Sequence, residues 1–274
     1  PFIIPNLAIH LDRKVNEQGL LVQRQEGLQA LFDMGKSDVR SIIQKTKEPT
    51  AYHLYAIPLE KSCTLGSSHE LISSYRLDNL ASCYACLEAL CSNKEKNDAT
   101  LNIASFFDNE EIGSESDAGA SSSFYDDVFT RVCFHFNMNV EETMRCKASS
   151  FALSCDVTHA VHPQYIERSE PLHKLEFTKG IVIKDNADER YASSDELSCI
   201  MQNRLFQNNI PYQFFSAKND IPAGTTVGPI HAAKTGIATL DIGIPILGMH
   251  AAMEVVHIKD VEYLVEGLKV FLNE

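Results

Sequence analysis

TLNIASFFDNEE, residues 100–111, carries an apolar, strand-like run directly into two adjacent glutamates. In open α/β sheets, ligands bind at the carboxyl ends of the strands. If the chain leaves a strand after Phe107, one of the two carboxylates can hold a metal ion while its neighbour moves a proton. Hydrolytic metal sites need this division of work. Acidic pairs are also common on solvated loops, so residues 108–111 alone are equally compatible with an exposed turn.

The pattern around this stretch is that of an α/β fold, because strand-like and helix-like segments alternate from about residue 66 onward. Strands are predicted at residues 101–107, 151–155, 181–183, 212–216 and 238–242, and helices at 79–91, 124–136, 194–208 and 260–272, the last with Asp260 as its N-cap. Such alternation predicts a mostly parallel or mixed sheet flanked by helices. Residues 1–60 hold an extended opening, a predicted helix at 37–47 and a predicted strand near 52–57, too little for an independent core.

Composition limits the function classes. The 274 residues are 44% hydrophobic, enough for one large domain or one domain with a smaller piece. A net charge of −13 and an isoelectric point near 5.2 argue against nucleic acid and anionic membranes as partners, since both would be repelled. No apolar stretch approaches the roughly 20 residues of a transmembrane helix, and the start, PFIIP, lacks the basic region of a signal peptide. We therefore expect a soluble, cytoplasmic protein.

The cysteines indicate a reducing compartment. Eight are scattered without a disulfide-like framework, which predicts free thiols in the cytosol. Only Cys83 and Cys86 have the spacing of a redox or zinc pair, and no second pair completes a four-sulfur site. We expect both to be small, buried hydrophobic residues of a helix.

Acidic and imidazole side chains recur where the predicted elements begin or end. Asp78 precedes a helix, Glu111 and Asp156 follow strand-like runs, and His250 follows a further apolar run. Together they form a carboxylate and imidazole set suited to zinc or another borderline divalent ion. Taken singly, each has a simpler explanation: Asp78 as a helix N-cap, the glutamate and Asp156 as turn residues, and His250 as a half-buried histidine.

A series of segments spread over nearly the whole chain resembles the aspartyl aminopeptidases of metallopeptidase family M18, in the family's order. The segments are NLAIHL (6–11), RLDN (76–79), DNEEIGSES (108–116), DVTHAVHP (156–163), KGIVIK (179–184), RYAS (190–193), GTTVGP (224–229) and GMH (248–250). The DNEE and HAVHP blocks are specific. The resemblance implies the fold of a dinuclear zinc aminopeptidase.

The resemblance also implies a metal centre with two divalent ions, zinc in preference to manganese or cobalt. Asp78 would bridge the two ions, Glu111 and His250 would complete the ligands of one, and Asp156 would serve the other. Glu110 would act as general base and acid, taking a proton from the attacking water and later giving it to the departing amine.

The substrates implied by the resemblance are peptides with an N-terminal Asp or Glu. Lys184 and Tyr191 match the family's pocket for the acidic side chain, and Met249 belongs with these substrate-binding residues. His159 could donate a hydrogen bond to the developing oxyanion. His10 matches a histidine that the family presents to the active site of a neighbouring subunit, which implies a homo-oligomer built from dimers, a dodecamer in this family.

The chain also departs from the family pattern. Members carry an upstream His-x-Asp motif whose histidine ligates the second metal, whereas the only such pattern here, at residues 10–12, lies in the inserted dimerisation domain. We therefore expect residues 1–65 to be the remnant of a β-rich dimerisation domain and residues 66–274 a catalytic domain that is incomplete at its N-terminal side. Two alternatives to an acidic-residue aminopeptidase follow: an inactive truncated homologue that serves as an oligomerisation or metal-binding partner, and a related aminopeptidase of neutral specificity.

Overall fold

The computed structural model describes residues 1–36, 40, 51–92 and 100–273, and the chain divides into two compact units, Pro1–Leu59 and Glu60–Glu274. The described residues of the first unit include the short helices α1 (Val15–Gln18) and α2 (Arg24–Gly27). The helix predicted at 37–47 lies, apart from Arg40, outside the described residues. The strand predicted near 52–57 is wrong, since these residues belong to no strand. Residues with high strand propensity form a strand only where a neighbouring strand pairs with them. The assignment of the units to dimerisation and catalytic domains stays a prediction.

The second unit contains a five-stranded sheet and a four-stranded sheet. The first has the order β1-β2-β9-β8-β4, with β1 (Cys63–Leu65), β2 (Leu71–Ser74), β9 (Glu254–His257), β8 (Pro245–Leu247) and β4 (Thr158–His159). The second has the order β3-β7-β5-β6, with β3 (Phe151–Cys155), β7 (Ala238–Gly243), β5 (Ile181–Lys184) and β6 (Tyr212–Phe215). Both sheets contain parallel and antiparallel pairs, so the predicted mixed α/β class is confirmed.

The two sheets join along one seam. Backbone hydrogen bonds from Asp156 to Ile242, from Thr158 to Ile244 and from Ala160 to Ile246 continue the pairing of β3 with β7 into that of β4 with β8. The chain therefore passes from one sheet to the other around Asp156.

In the part of this unit that the structure describes, six helices flank the sheets. They are α3 (Leu77–Ser92), α4 (Phe124–His135), α5 (Val140–Ala148), α6 (Asp195–Gln207), α7 (Val227–Thr235) and α8 (Ile258–Leu272). Helix α3 packs against α8, and its buried alanines Ala81, Ala85 and Ala89 lie on one face at a spacing of four residues. On α8, Gly267 packs closely on β5, because a Cβ there would lie 2.3 Å from Ile181 Cδ1. None of the described helices is both long and apolar enough to cross a membrane.

Most of the strands and helices predicted in this unit are present. The strands predicted at 151–155, 181–183, 212–216 and 238–242 and the helices predicted at 79–91, 124–136, 194–208 and 260–272 are present with ends shifted by at most a few residues. The strand predicted at 101–107 is wrong: these residues join no strand of the described sheets. The predicted N-cap at Asp260 is also wrong, because His257 caps α8 by accepting the Lys259 amide while Asp260 accepts bonds from Thr178 and Gly180.

The cysteines agree in part with the prediction of free thiols and of a buried Cys83 and Cys86. All eight cysteines are free. Cys83 and Cys86 lie on α3 as predicted, although both are half-buried rather than fully buried.

Candidate metal centre

Glu110 and Glu111 are presented by a tight turn rather than by the end of a strand. They open a single 3₁₀ turn, Glu110–Ile112, which follows Asn109 in a left-handed conformation (φ 61°). Asparagine tolerates this region better than most residues. The Asp108 amide donates to Ala118 O at 3.0 Å and closes the loop behind the turn. Two adjacent glutamates are thus held in one compact turn.

Asp78 and His250 come from opposite ends of the sequence and meet at this turn. Asp78 lies at the start of α3, where the backbone leaves helical geometry at residues 78 and 79. His250 follows β8 in a left-handed conformation (φ 63°). Its Nε2 lies 2.9 Å from Asp78 Oδ2 and 3.1 Å from Glu111 Oε2.

These three side chains form one donor set. The ligand atoms of Asp78, Glu111 and His250 all lie within 4.8 Å of one another. The side chains of His250 and Glu111 are 61% and 53% exposed, so the set is open to solvent and to a ligand on their side, while that of Asp78 is only 8% exposed and closes the other. Asp156 does not belong to this set of three.

The electrostatics of the set favour a cation. Burial, followed by the charges of Asp156 and Glu111, raises the pKa of Asp78 to about 7. Burial and the same two carboxylates also raise the pKa of Glu110 to about 7. Asp156 and Glu111 therefore repel both Asp78 and Glu110, and a divalent ion would relieve this repulsion. Two carboxylates and one imidazole are a donor set that zinc accepts, so the residues present fit a zinc ion.

Asp156, at the end of β3, faces a buried lysine. Lys184 is only 2% exposed, its ammonium donates to Val157 O at 3.1 Å, and it lies 3.7 Å from Asp156 Oδ2. The same ammonium lies 5.3 Å from the centre of the Tyr191 ring. A buried ammonium with one carbonyl partner and one carboxylate neighbour retains donor capacity.

The other predicted substrate-binding residues of the second unit surround this lysine or lie near His250. His159 packs edge to face on Phe215 at 5.4 Å, and its pKa is lowered by desolvation and by the Lys184 charge. Tyr191 is buried, which raises its pKa to about 12. Met249 is half-buried and packs against the main core. His10 lies in an exposed turn of the first unit.

Two residues that the sequence did not single out connect the predicted ligands. Asn79 Nδ2 donates to Cys155 O at 2.8 Å and so ties the neighbour of Asp78 to the neighbour of Asp156. Glu254, which is 2% exposed, accepts the amides of Asp78 and His250. A signal for Glu254 existed in the sequence: a charged residue stands directly before the two valines of the short strand EVVH.

Asp241 is a third residue that the sequence did not single out. It lies in β7, is fully buried, and accepts bonds from the Ala192 amide at 2.6 Å and from Thr226 Oγ1 at 2.8 Å. Its bond to Ala192 fixes the backbone next to Tyr191. A lone aspartate in the apolar strand ATLDIG was the sequence signal for it.

A mixed α/β fold that gathers three side chains able to hold a metal ion, with a further glutamate beside them, is typical of metal-dependent hydrolases. Comparison with known proteins specifies this class. The family model described as "Aminopeptidase I zinc metalloprotease (M18)" matches residues 1–272. The chain belongs to the M18 family.

Individual relatives agree with this assignment. The chain is 35% identical over 281 residues to a probable M18 family aminopeptidase 2 of Streptomyces coelicolor, covering 98% of this chain and 65% of that protein. It is 31% identical to a probable aspartyl aminopeptidase of Ricinus communis, covering 99% of this chain and 65% of that protein. A cryo-EM structure of the Ape4 and Nbr1 complex contains a chain that is similar with a TM-score of 0.87 and 30% identity, covering 99% of this chain and 57% of that one. The chain thus spans about 65% of the length of the curated relatives it matches.

Proposed function

We propose that the protein is a zinc-dependent aminopeptidase that removes the N-terminal residue of peptides, preferably Asp or Glu. The observation that carries the proposal is the donor set Asp78, Glu111 and His250, with Glu110 adjacent in the same turn. Membership of a zinc metalloprotease family supports it.

The residues of the centre have distinct tasks in this proposal. Asp78, Glu111 and His250 would hold one ion, and Asp78 with Asp156 would hold a second. When bound, the ions supply Lewis-acid polarisation of the scissile carbonyl and lower the pKa of a water molecule. Glu110 is outside the three-residue donor set, so its carboxylate is free to take a proton from the attacking water and to return it to the departing amine.

The preference for acidic N-termini rests on Lys184. An ammonium that is 2% exposed is an unusual feature, because lysine is mostly exposed in proteins; Asp156 Oδ2 lies 3.7 Å from it. An acidic substrate side chain would give this ammonium a second carboxylate partner, beside Asp156. Tyr191 and His159 would line the same pocket, and Met249 would border it from the turn that carries His250. One relative is named a probable aspartyl aminopeptidase, which agrees with this preference.

Assembly and location complete the proposal. By family resemblance, the protein would form a homo-oligomer of dimers, a dodecamer, in which His10 reaches the active site of a neighbouring subunit. Light scattering after size exclusion would measure the assembly. The eight free thiols agree with a cytoplasmic location.

The test is hydrolysis of aminoacyl p-nitroanilides after dialysis against chelator and again after addition of zinc, manganese or cobalt. We expect cleavage only with metal present, and faster cleavage of the Asp and Glu substrates than of the Ala and Leu substrates. N-acetyl-Asp p-nitroanilide is the matched control, since it lacks the free amino group and should not be cleaved by an aminopeptidase. Equal rates for Leu and Asp would favour the neutral aminopeptidase. Zinc binding without hydrolysis would favour the inactive metal-binding partner.

A further inference from the structure

Glu254 is a buried carboxylate that connects two of the proposed metal ligands. Its Oε2 accepts the backbone amide of Asp78 at 3.0 Å, and its Oε1 accepts the backbone amide of His250 at 2.7 Å. The residue is 2% exposed and opens β9. Both oxygens of one side chain are thus used on the backbones of two residues that are far apart in sequence.

The two hydrogen bonds of Glu254 fix the separation of the Asp78 and His250 backbones, because breaking either bond is costly. A buried ionised carboxylate is strongly destabilising without hydrogen-bond donors, and bonds from N–H groups to an ionised acceptor are about twice as strong as neutral ones. A change in the separation of the two amides would therefore break a bond to a buried charge.

The backbone of His250 shows why such a support is needed. Its φ of 63° is left-handed, a conformation that is unfavourable for a residue with a Cβ. The surroundings must stabilise that conformation, and Glu254 Oε1 does so through the amide of the strained residue itself. With the backbone fixed, the imidazole Nε2 lies 2.9 Å from Asp78 Oδ2.

We propose that Glu254 is a positioning residue of the metal centre, which sets the separation of Asp78 and His250 and thereby the affinity of the centre for zinc. Glu254 does not belong to the donor set itself, and its effect passes through the two backbone amides. This inference rests on the metal centre of the proposed function, but it does not depend on the substrate.

A matched control exists in the same domain. Asp260 is also fully buried, and its carboxylate also accepts two backbone amides, those of Thr178 at 2.8 Å and Gly180 at 3.1 Å. Neither of these residues belongs to the proposed metal centre. Asp260→Asn therefore imposes the same chemical change as Glu254→Gln, a buried carboxylate replaced by an amide between two N–H groups, away from the metal.

The experiment measures zinc affinity by competition with a chromophoric chelator, and thermal melting of the metal-free protein, for both variants. Asp78→Asn defines zinc bound outside the centre, including zinc on thiols. In Glu254→Gln the amide nitrogen faces one of the two N–H groups, so one ligand backbone is released. We expect a 10–100-fold loss of zinc affinity, the range for residues that support metal ligands. Asp260→Asn should lower the melting temperature and leave zinc affinity within about threefold of the wild type, less than the lower end of that range.

Three outcomes would overturn the inference, and they separate its failure from that of the proposed function. Wild-type zinc affinity in Glu254→Gln, or an equal loss in Asp260→Asn, would show that Glu254 is only a fold anchor while the metal centre stands. Absence of zinc binding by the wild type above the Asp78→Asn background would remove the metal centre as well. If Glu254→Gln does not fold, Glu254→Asp is measured instead; it keeps the charge but is too short to reach both amides, and the same 10–100-fold loss is expected.

Discussion

Of two neighbouring substitutions, Glu110→Gln and Glu111→Gln, only the second should weaken metal binding. Both change a carboxylate to an amide of nearly the same size within one 3₁₀ turn, so any difference between them reflects the role of each side chain. Glu111 Oε2 is in the donor set, 3.1 Å from His250 Nε2, whereas Glu110 is not in the set. We therefore expect Glu110→Gln to keep its zinc and Glu111→Gln to lose it.

The magnitudes follow from these roles. Loss of a general base typically lowers the rate by about 10²–10⁴, which corresponds to roughly 2.7–5.4 kcal/mol of transition-state stabilisation. Glu110→Gln should thus lower kcat for Asp p-nitroanilide by this factor with little change in zinc content. Glu111→Gln removes one charged donor of three, and its zinc affinity should fall by at least the roughly 10–100-fold expected for a residue that only supports a ligand.

The assay combines zinc content after gel filtration with kcat at saturating substrate. Added zinc should restore part of the activity of Glu111→Gln and none of that of Glu110→Gln. Activity of Glu110→Gln within tenfold of the wild type would refute its role as general base. Retention of zinc by Glu111→Gln, with loss from Glu110→Gln, would show that the two assignments are reversed.

Three further predictions concern the surroundings of the centre. Lys184→Met should lower kcat/KM for the Asp substrate relative to the Ala substrate by roughly 10–100-fold, since a hydrogen bond to a charged group contributes about 1.5–3 kcal/mol; an unchanged ratio would contradict the acidic pocket. In Gly243→Ala the new Cβ would lie 1.7 Å from the Asp156 carbonyl oxygen. The urea midpoint of unfolding should therefore fall by the equivalent of about 1–3 kcal/mol. An unaltered midpoint would show that the backbone at the seam can move to accommodate the methyl group at little cost. Burial raises the pKa of Asp241 above 3.8, so the folded state keeps this proton to higher pH than the unfolded chain does. The stabilisation from this proton is complete below the unfolded pKa and is lost as the pH rises through the folded pKa. Unfolding free energies across this range should therefore fall less with rising pH in Asp241→Asn than in the wild type, and parallel curves would count against the prediction.

Much of the fold of the second unit was predictable, because local sequence patterns indicate its strands and helices. The strands at 151–155, 181–183, 212–216 and 238–242 are short apolar runs, and α8 shows helical periodicity. The antiparallel strands β1, β2 and β9 were missed, since they are only three or four residues long and two of them contain few apolar residues. Residues 101–107 show the opposite error: they have strand-like composition but no strand pairing.

The sequence by itself determined which chemical groups are available: Asp78, the Glu110–Glu111 pair, Asp156 and His250 were identifiable from their residue types and motif context. Only the tertiary structure decided which of them lie together. It brings Asp78, Glu111 and His250 within 4.8 Å, leaves Glu110 beside them, and sets Asp156 against Lys184. The physical reason is that this convergence depends on bonds between distant segments, such as those of Glu254 and Asn79, and no local pattern encodes the partner of a long-range hydrogen bond.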